Sequence, residues 1–417
     1  MAMKLRNIKL FILIYTQKLW MRSYTGNRKK SVFLLLLKEF RSYISNIFKG
    51  SYLITFNKKY AQSYFNYSNR KSSLSIFKDN ILWAIRKNET NYFYYAYGLD
   101  QKKAKIDNYI ARSEFKVYRN ILNIKLRENL DAEGYNFNYL LITHDKFIFG
   151  KFCDSLGIPS PKVFGIINYN KIWWIGFGKG EYEALESLLS FSKLDAFVKE
   201  ISGELGKWSF ILQVIKPGFF LINGNESNIE ELKRLISKGR YLIQERIIQH
   251  HKLALINPYS VNTIRMETYL DNEGNVTILD ALIRFGTQKR IVDNWGQGGF
   301  CANIDLETGI INNIGYYKPG FGTIVKEKHP DSNENFAGIT IPHFRLAVNM
   351  AKKLHKAIYG LPSMGWDIAI TEEGPVFLEA GEDWEITLVQ MCRPDFKSEF
   401  LKYHKCALDI PLKDIFN

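Results

Sequence analysis

Between Gly365 and Gly381 two apolar runs, Gly365-Trp366-Asp367-Ile368-Ala369-Ile370 and Pro375-Val376-Phe377-Leu378-Glu379-Ala380-Gly381, flank the polar stretch Thr371-Glu372-Glu373-Gly374. A three-residue Glu-Glu-Gly loop between such runs predicts a β-hairpin closed by a bulged turn, because Gly374 tolerates positive φ. In that register Asp367 faces Glu379. Cross-strand partners have Cβ atoms about 5 Å apart, and like charges so placed destabilise a sheet unless something compensates. On an exposed face water compensates. In a cleft a divalent cation such as Mg²⁺ does, taking carboxylate oxygens together with substrate phosphates and water. Both readings fit these residues.

The chain around this hairpin has 417 residues and 46% hydrophobic content, enough for two or three structural units. From Met1 to about Asp131 the pattern is mostly helical, with the block Val32 to Leu37 and a long periodic segment from Ala104 to Leu130. After Gly134 short apolar strands alternate with helices, which predicts sheets covered by helices. The boundary is placed near residue 135. Helices are expected over Asp145–Leu156, Glu181–Leu194 and Asn228–Lys238, and another from Pro342 with Ala347, Met350, Ala351, Leu354 and Ile358 inward. Strands are expected over Lys162–Ile167, Asp195–Ile201, Tyr241–Ile247, Ser260–Leu270 and Val276–Phe285.

Charge is unevenly distributed. Residues 1–130 hold 26 Lys and Arg against 7 Asp and Glu, an excess of 19, whereas the whole chain carries +15. Aromatics are interleaved with this charge, as in Asn91-Tyr92-Phe93-Tyr94-Tyr95-Ala96-Tyr97, a composition that suits an anionic partner, a membrane surface or a solvated basic face. No zinc spacing, helix-turn-helix signal or RNA-binding signature accompanies it, so nucleic acid is not expected. Cys153, Cys301, Cys392 and Cys406 show neither metal-ligand spacing nor a disulfide framework, which fits a reducing, cytoplasmic compartment. Lys18 follows the apolar run Ile8–Ile14, without a small-residue cleavage site, and nothing is long enough to span a bilayer.

Several segments carry potential chemistry. Lys199 lies in an apolar strand that runs into the small loop Ser202–Lys207, an arrangement that suits phosphate, with backbone N–H donors and a point charge, or simply a turn with a solvated lysine. Gln244 to His250 ends a strand where a carboxylate and exposed backbone can meet an adenine edge. Asn262-Thr263-Ile264-Arg265 opens a strand and Arg284 ends its partner; arginines aimed from a sheet into a cleft need anions, as they do in a surface ion pair. Asp293 to Gly299 is a glycine-rich polar loop, suited to a substrate pocket or a plain connection. His250, His251 and His343 read as structural.

The order of these elements resembles the ATP-grasp superfamily. Phe197-Val198-Lys199, Gly203 to Lys207, Gln249-His250, Asn262 to Arg265, Asp293-Asn294, Gly298-Gly299, Gly365-Trp366-Asp367 and Leu378-Glu379 are more closely similar to the sugar-transfer-associated ATP-grasp family, over about residues 140–400. The resemblance implies an α+β fold of two α/β lobes with mixed and antiparallel sheets, at 135–240 and 241–417, after a mainly helical region 1–134. It implies that Lys146, Lys199 and the loop residues Gly203, Gly206 and Lys207 contact nucleotide phosphates. Glu245 and the backbone at Ile247 would take adenine and ribose, and Arg265 with Arg284 the reacting phosphate. Gln249, Asn262, Asp293, Asn294 and Gly298 would shape the substrate pocket, and Asp367, Glu379 and Asp383 would hold Mg²⁺. One departure stands out. Where the superfamily has asparagine two residues after the metal glutamate, on the same strand face, this chain has Gly381, with Glu382 or Asp383 as substitute oxygens.

The activity so implied is an ATP- and Mg²⁺-dependent carboxylate-amine ligase working through an acyl phosphate and releasing ADP. Its acceptor would be a sugar or glycan intermediate of capsule or O-antigen synthesis, and the amine donor an amine or amino acid. An ATP-dependent sugar kinase and a nucleotide-binding scaffold without turnover are the alternatives. The basic region would place the protein peripherally at the inner membrane face or on an anionic glycan.

Overall fold

The computed structural model describes residues 10, 12–14, 32–65, 69–131, 139–175, 182–203, 208–237 and 239–409. The expected boundary near 135 and the loop residues Gly206 and Lys207 lie outside them. The chain divides into two compact units. One comprises residues 1–137, 316–324 and 383–417, the other 138–315 and 325–382.

In the first unit α1 (Val32–Ser45) passes through a π turn (Asn46–Gly50) into α2 (Ser51–Phe56), followed by α3 (Ser73–Lys87) and α4 (Arg112–Asp131). Ser72 caps α3 by accepting the Ser75 N–H, and Asn88 ends it in the left-handed region at φ 51°. The aromatic run Asn91–Tyr97, expected as a surface feature, is largely core. Tyr94, Tyr95 and Tyr97 are buried, Tyr97 stacks on Tyr109 at 4.2 Å, and the Tyr94 hydroxyl donates to Asp79 at 2.7 Å. Each ring has found a stacking or hydrogen-bonding partner, which outweighs its proximity in sequence to lysines.

The C-terminal segment belongs to this unit. Gln390 accepts the Ile110 N–H at 2.7 Å and donates to the Ile110 carbonyl at 2.9 Å, while Phe115 packs edge-on against Trp384 at 4.7 Å. The expected span 241–417 for one lobe is therefore corrected: residues 383–409 complete the hydrophobic core of the first unit. Among the described residues no helix is long and apolar enough to cross a membrane.

The second unit has the α+β architecture expected, with two sheets. After α5 (Leu140–His144) and α6 (Lys146–Ser155) come β1 (Val163–Asn168), β2 (Lys171–Trp174), β3 (Tyr182–Ala184), β4 (Leu194–Glu200), β5 (Phe210–Lys216), β6 (Phe219–Ile222), β7 (Asn225–Ser227), α7 (Ile229–Leu235) and β8 (Arg240–Glu245). These strands form one antiparallel sheet in the order β3-β2-β1-β8-β4-β5-β6-β7. Because β8 pairs with β1 and β4, the sheet extends past the expected lobe limit of 240. The helix expected over Glu181–Leu194 is β3 and a 3₁₀ segment, Leu185–Ser190, instead. Tertiary contacts override the local pattern there: Leu185 and Leu188 are fully buried, the Leu185 N–H bonds the Asn170 carbonyl, and the Trp174 indole donates to Ser187 at 3.0 Å.

The second sheet contains β9 (Ile264–Leu270), β10 (Val276–Phe285), β11 (Phe300–Ile304), β12 (Ile311–Tyr317), β13 (Ile324–Lys326), β14 (Ser363–Ile370) and β15 (Pro375–Gly381), ordered β13-β12-β11-β10-β9-β14-β15. The short helix α8 (His251–Ile256) precedes it, and α9 (Phe344–Ala357) lies between β13 and β14, burying Ala347, Ala351 and Leu354 with Met350 only partly covered. Asp367 pairs with Glu379 as expected, but the expected three-residue loop is corrected: Thr371 and Gly374 bond each other and Ile370 pairs with Pro375, which leaves Glu372 and Glu373 in the loop. The bulge lies within β15, between the pairs Asp367↔Glu379 and Ile368↔Phe377, and Gly374 at φ 136° closes the turn.

Candidate active site

One face of the second sheet gathers the charges. Arg265 on β9 and Asp367 on β14 are cross-strand partners, with Arg265 Nε 2.6 Å from Asp367 Oδ1. Arg284 reaches the same carboxylate from the end of β10, 2.8 Å from Oδ2. Burial pushes the Asp367 carboxyl up, but Arg265 and Arg284 outweigh it and hold the group well below the usual carboxylate range. Burial likewise opposes the Arg284 charge, and Asp367 and Asp293 more than restore it. Behind Arg284, Asp293 accepts the Thr263 N–H at 2.8 Å and its hydroxyl at 2.5 Å, while that hydroxyl accepts from Arg284 at 2.6 Å. Asp293 thus orients Thr263, and Thr263 orients Arg284. Burial raises the Asp293 carboxyl despite Arg284.

Two lysines approach from the first sheet and α6. Lys146 opens α6, whose N-cap Asp145 accepts the N–H groups of Phe147 and Ile148; its ammonium donates to the Gly203 carbonyl at 2.6 Å and lies 3.5 Å from Glu379. Lys199 on β4 is buried and donates to the Leu378 carbonyl at 3.3 Å. Burial pulls the Lys199 ammonium down to about 8, opposed by Glu379 and Asp367 and reinforced by Lys146. Four cationic side chains therefore meet Asp367 and Glu379, an excess of positive charge that a polyphosphate would neutralise.

One member of this face went unnoticed in the sequence. Glu267 follows Arg265 by two residues on β9, pairs with Asp280, is fully buried, and neither carboxylate oxygen has a hydrogen bond. Burial raises its carboxyl well above the ordinary range, against the opposing pull of Arg265 and Arg284. The signal was available in the alternation of strand side chains. A second group sits where β8 leads into α8. His250 Nε2 and His251 Nδ1 approach the two oxygens of Glu372 at 3.4 and 2.9 Å, and His250 N–H bonds the Ile370 carbonyl, fastening the hairpin turn to this link.

The remaining expected residues divide. Glu245 ends β8 with its carboxylate exposed and 3.3 Å from the Lys162 N–H, and Ile247 lies in the extended link that follows. Gln249 and Asn262, expected at the substrate, bond each other in the loop before β9. Gln249 donates to the Asn257 and Ser260 carbonyls and accepts from Asn262, all within 3.0 Å, so the pair fixes the loop before β9. Asn294 accepts the Gly296 N–H at 2.7 Å, and the Gly298 carbonyl accepts from Thr287, so both shape their own loop. Asp383 groups with the first unit and pairs with Arg119, while Glu382 accepts from Thr143 and meets His144. A Cβ at Gly381 would meet nothing within 4 Å.

Asp367 and Glu379 have the chemistry Mg²⁺ requires: hard carboxylate oxygens on facing strands, with open space at Gly381 beside them. They fit the ion.

Residues 125–396 match the family described as sugar-transfer associated ATP-grasp. No curated protein matches. Similar solved structures include N5-carboxyaminoimidazole ribonucleotide synthetase from Thermotoga maritima, at 14% identity and TM-score 0.33 over 62% of this chain and 48% of that one. An L-amino acid ligase from Bacillus licheniformis shares 12% identity at TM-score 0.33, over 62% of this chain and 45% of its own. D-alanine–D-alanine ligase from Bacillus anthracis, complexed with ATP, shares 12% at TM-score 0.34, over 68% and 75%. The chain spans about half the length of the first two.

Proposed function

The chain belongs to the sugar-transfer associated ATP-grasp family, and on that premise we propose that it is an ATP- and Mg²⁺-dependent ligase joining a carboxylate to an amine. The carrying observation is the convergence of Lys146, Lys199, Arg265 and Arg284 on Asp367 and Glu379. In this reading a substrate carboxylate oxygen attacks the γ-phosphorus of ATP, the bond to the β-phosphate oxygen breaks, and ADP leaves. The amine nitrogen then attacks the acyl carbon, loses a proton, and inorganic phosphate departs with its bonding electrons. Lys146 and Lys199 would bind the phosphates of the nucleotide, while Arg265 and Arg284 would turn toward charge on the transferred group. Mg²⁺ held by Asp367 and Glu379 would add a fixed positive charge at the phosphate oxygens. Glu245 and the backbone at Ile247 would receive the adenosine, and the Gly203–Lys207 loop would cover the phosphates.

The family description supports a sugar or glycan acceptor, and we place the reaction in cell-surface polysaccharide synthesis, of capsule or O-antigen, at the cytoplasmic membrane face. Gly381 favours a second reading, a nucleotide-binding scaffold, since Glu382 and Asp383 are engaged elsewhere. Chromatography of nucleotides and phosphate decides between them. ADP with free phosphate and an amide product supports the ligase, ADP without phosphate marks a sugar kinase, and binding without turnover marks the scaffold. Calorimetry that detects no ATP binding, with or without Mg²⁺, would overturn every form of the proposal.

A further inference from the structure

The helix running from α1 through the π turn into α2 shows an apolar line on its outer side. Leu37 and Ile44 are exposed, and Phe40, Phe48, Tyr52 and Phe56 are 62%, 61%, 62% and 50% exposed. Large apolar side chains exposed at four-residue spacing, at positions 40, 44, 48, 52 and 56, are not explained by packing within the unit. The inner side is occupied: Ile47, Gly50, Ser51, Ile54 and Thr55 are buried, Gly50 lies against Thr90, and Asn46 donates to the Asn88 carbonyl at 3.1 Å. In a plain α-helix each step of four residues turns the side chain about 40° further round, so the line from Phe40 to Phe56 would wind away from one side. The π turn at Asn46–Gly50 has more residues per turn and works against that drift.

Charge is sorted along the same helix. Residues 32–59 contain Lys38, Arg41, Lys49, Lys58 and Lys59 against one carboxylate, Glu39. All five basic residues are exposed, and Glu39 is buried. On α3, Leu74 is exposed and Phe77 lies 6.2 Å from Phe56, extending the apolar line.

We propose that this outer face is a membrane-surface site. The helix lies in the plane of an anionic lipid leaflet, with Phe40, Phe48, Tyr52 and Phe56 at the boundary of headgroups and acyl chains and the basic residues among lipid phosphates. Bulky rings on one side flanked by lysine and arginine are what interfacial helices use. The one carboxylate turned inward removes the repulsion such a surface would otherwise meet. This deepens the membrane-face part of the proposed function and is independent of the ligase chemistry.

The test uses the full chain, without nucleotide, sedimented with vesicles of phosphatidylcholine alone or mixed equally with phosphatidylglycerol. Two variants are compared after thermal melts confirm folding: Phe40→Ser with Phe48→Ser, and Lys38→Gln with Arg41→Gln and Lys49→Gln. Wild-type protein is expected to bind the mixed vesicles and to weaken at 1 M salt, where the Debye length is about 3 Å. Losing two inserted rings should cost on the order of a hundredfold in partitioning, and each neutralised basic residue roughly fivefold, confined to the anionic vesicles. Absence of vesicle binding, or a ring variant that binds like wild type, overturns the proposal. So does a concentration-dependent dimer that the ring substitutions dissolve, which would assign the face to a second copy. ATP turnover assayed in parallel without lipid reports on the ligase reading separately.

Discussion

Arg265 and Asp367 face each other across adjacent strands with Nε and Oδ1 2.6 Å apart, and Arg284 takes the other carboxylate oxygen. An acid so held serves the fold, whatever part it takes in the proposed chemistry. Asp367→Asn should therefore abolish turnover and also destabilise the second unit by about 3 kcal/mol, because two buried guanidinium groups lose their counter-charge. Glu379→Gln, at a more exposed position, should abolish turnover with a nearly unchanged melt. Because the folded value of Asp367 is depressed, its contribution to stability is present above the ordinary carboxylate range and disappears only in strong acid. Acid unfolding curves for the wild type and Asp367→Asn should converge at the lowest pH; curves that stay parallel would refute the assignment.

Lys199 offers a second pH dependence. Its ammonium, pulled down to about 8, is partly neutral in mildly alkaline solution before any phosphate arrives. ATP affinity should fall as pH rises through 8, and Lys199→Met should bind ATP at least tenfold more weakly with that slope removed. In the free protein the unfolded chain binds more protons between about 8 and the ordinary lysine value near 10.4, so this residue makes stability rise with pH over that window. Calorimetry at pH 7 and pH 9 measures the first effect, and melts over the same range the second.

Glu267→Gln should stabilise the protein, or leave it unchanged, at neutral pH. Folding raises the Glu267 carboxyl, so the wild type must take up a proton on folding above the ordinary range, and its stability falls as pH rises from there toward the folded value. Glutamine keeps the shape and takes up no proton. Denaturant titrations at pH 5 and pH 8 should show a smaller loss for the variant, and an equal or larger loss would mean that Glu267 is ionised in the folded state.

Gly381→Asn should fit without strain, since a Cβ there meets open space. The added amide oxygen, two residues from Glu379 on the same strand face, is expected to lower the Mg²⁺ concentration needed for half-maximal ATP turnover severalfold. A Mg²⁺ profile identical to wild type would separate Gly381 from the metal site.

The hairpin was legible because strand alternation and turn chemistry are local, but the pair was reached by another route than a three-residue loop: Ile370 pairs with Pro375, and the bulge at Leu378 brings Glu379 opposite Asp367. The arginines were legible as residues that a sheet would not bury without anions. What escaped was decided by distant partners. Leu185–Ser190 has a helix-like composition, but Trp174 and Asn170 claim it. Gln249 and Asn262 are polar residues at a strand entrance, and only the fold reveals that they spend their hydrogen bonds on each other. The tyrosine run at 91–97 lies beside lysines in the chain and beside Tyr109 and Asp79 in space.

The bond between Gln390 and Ile110 joins positions 280 residues apart within one unit. By chain topology the first unit is thus built from three separate stretches, one before residue 138, one at 316–324 and one after 382. A shortened protein that starts at residue 138 would keep both sheets yet strip Trp384 and Phe400 of the Phe115 ring and Gln390 of the Ile110 backbone. A single cut at the point where the sequence changes texture therefore divides the first unit within itself and does not separate it from the second.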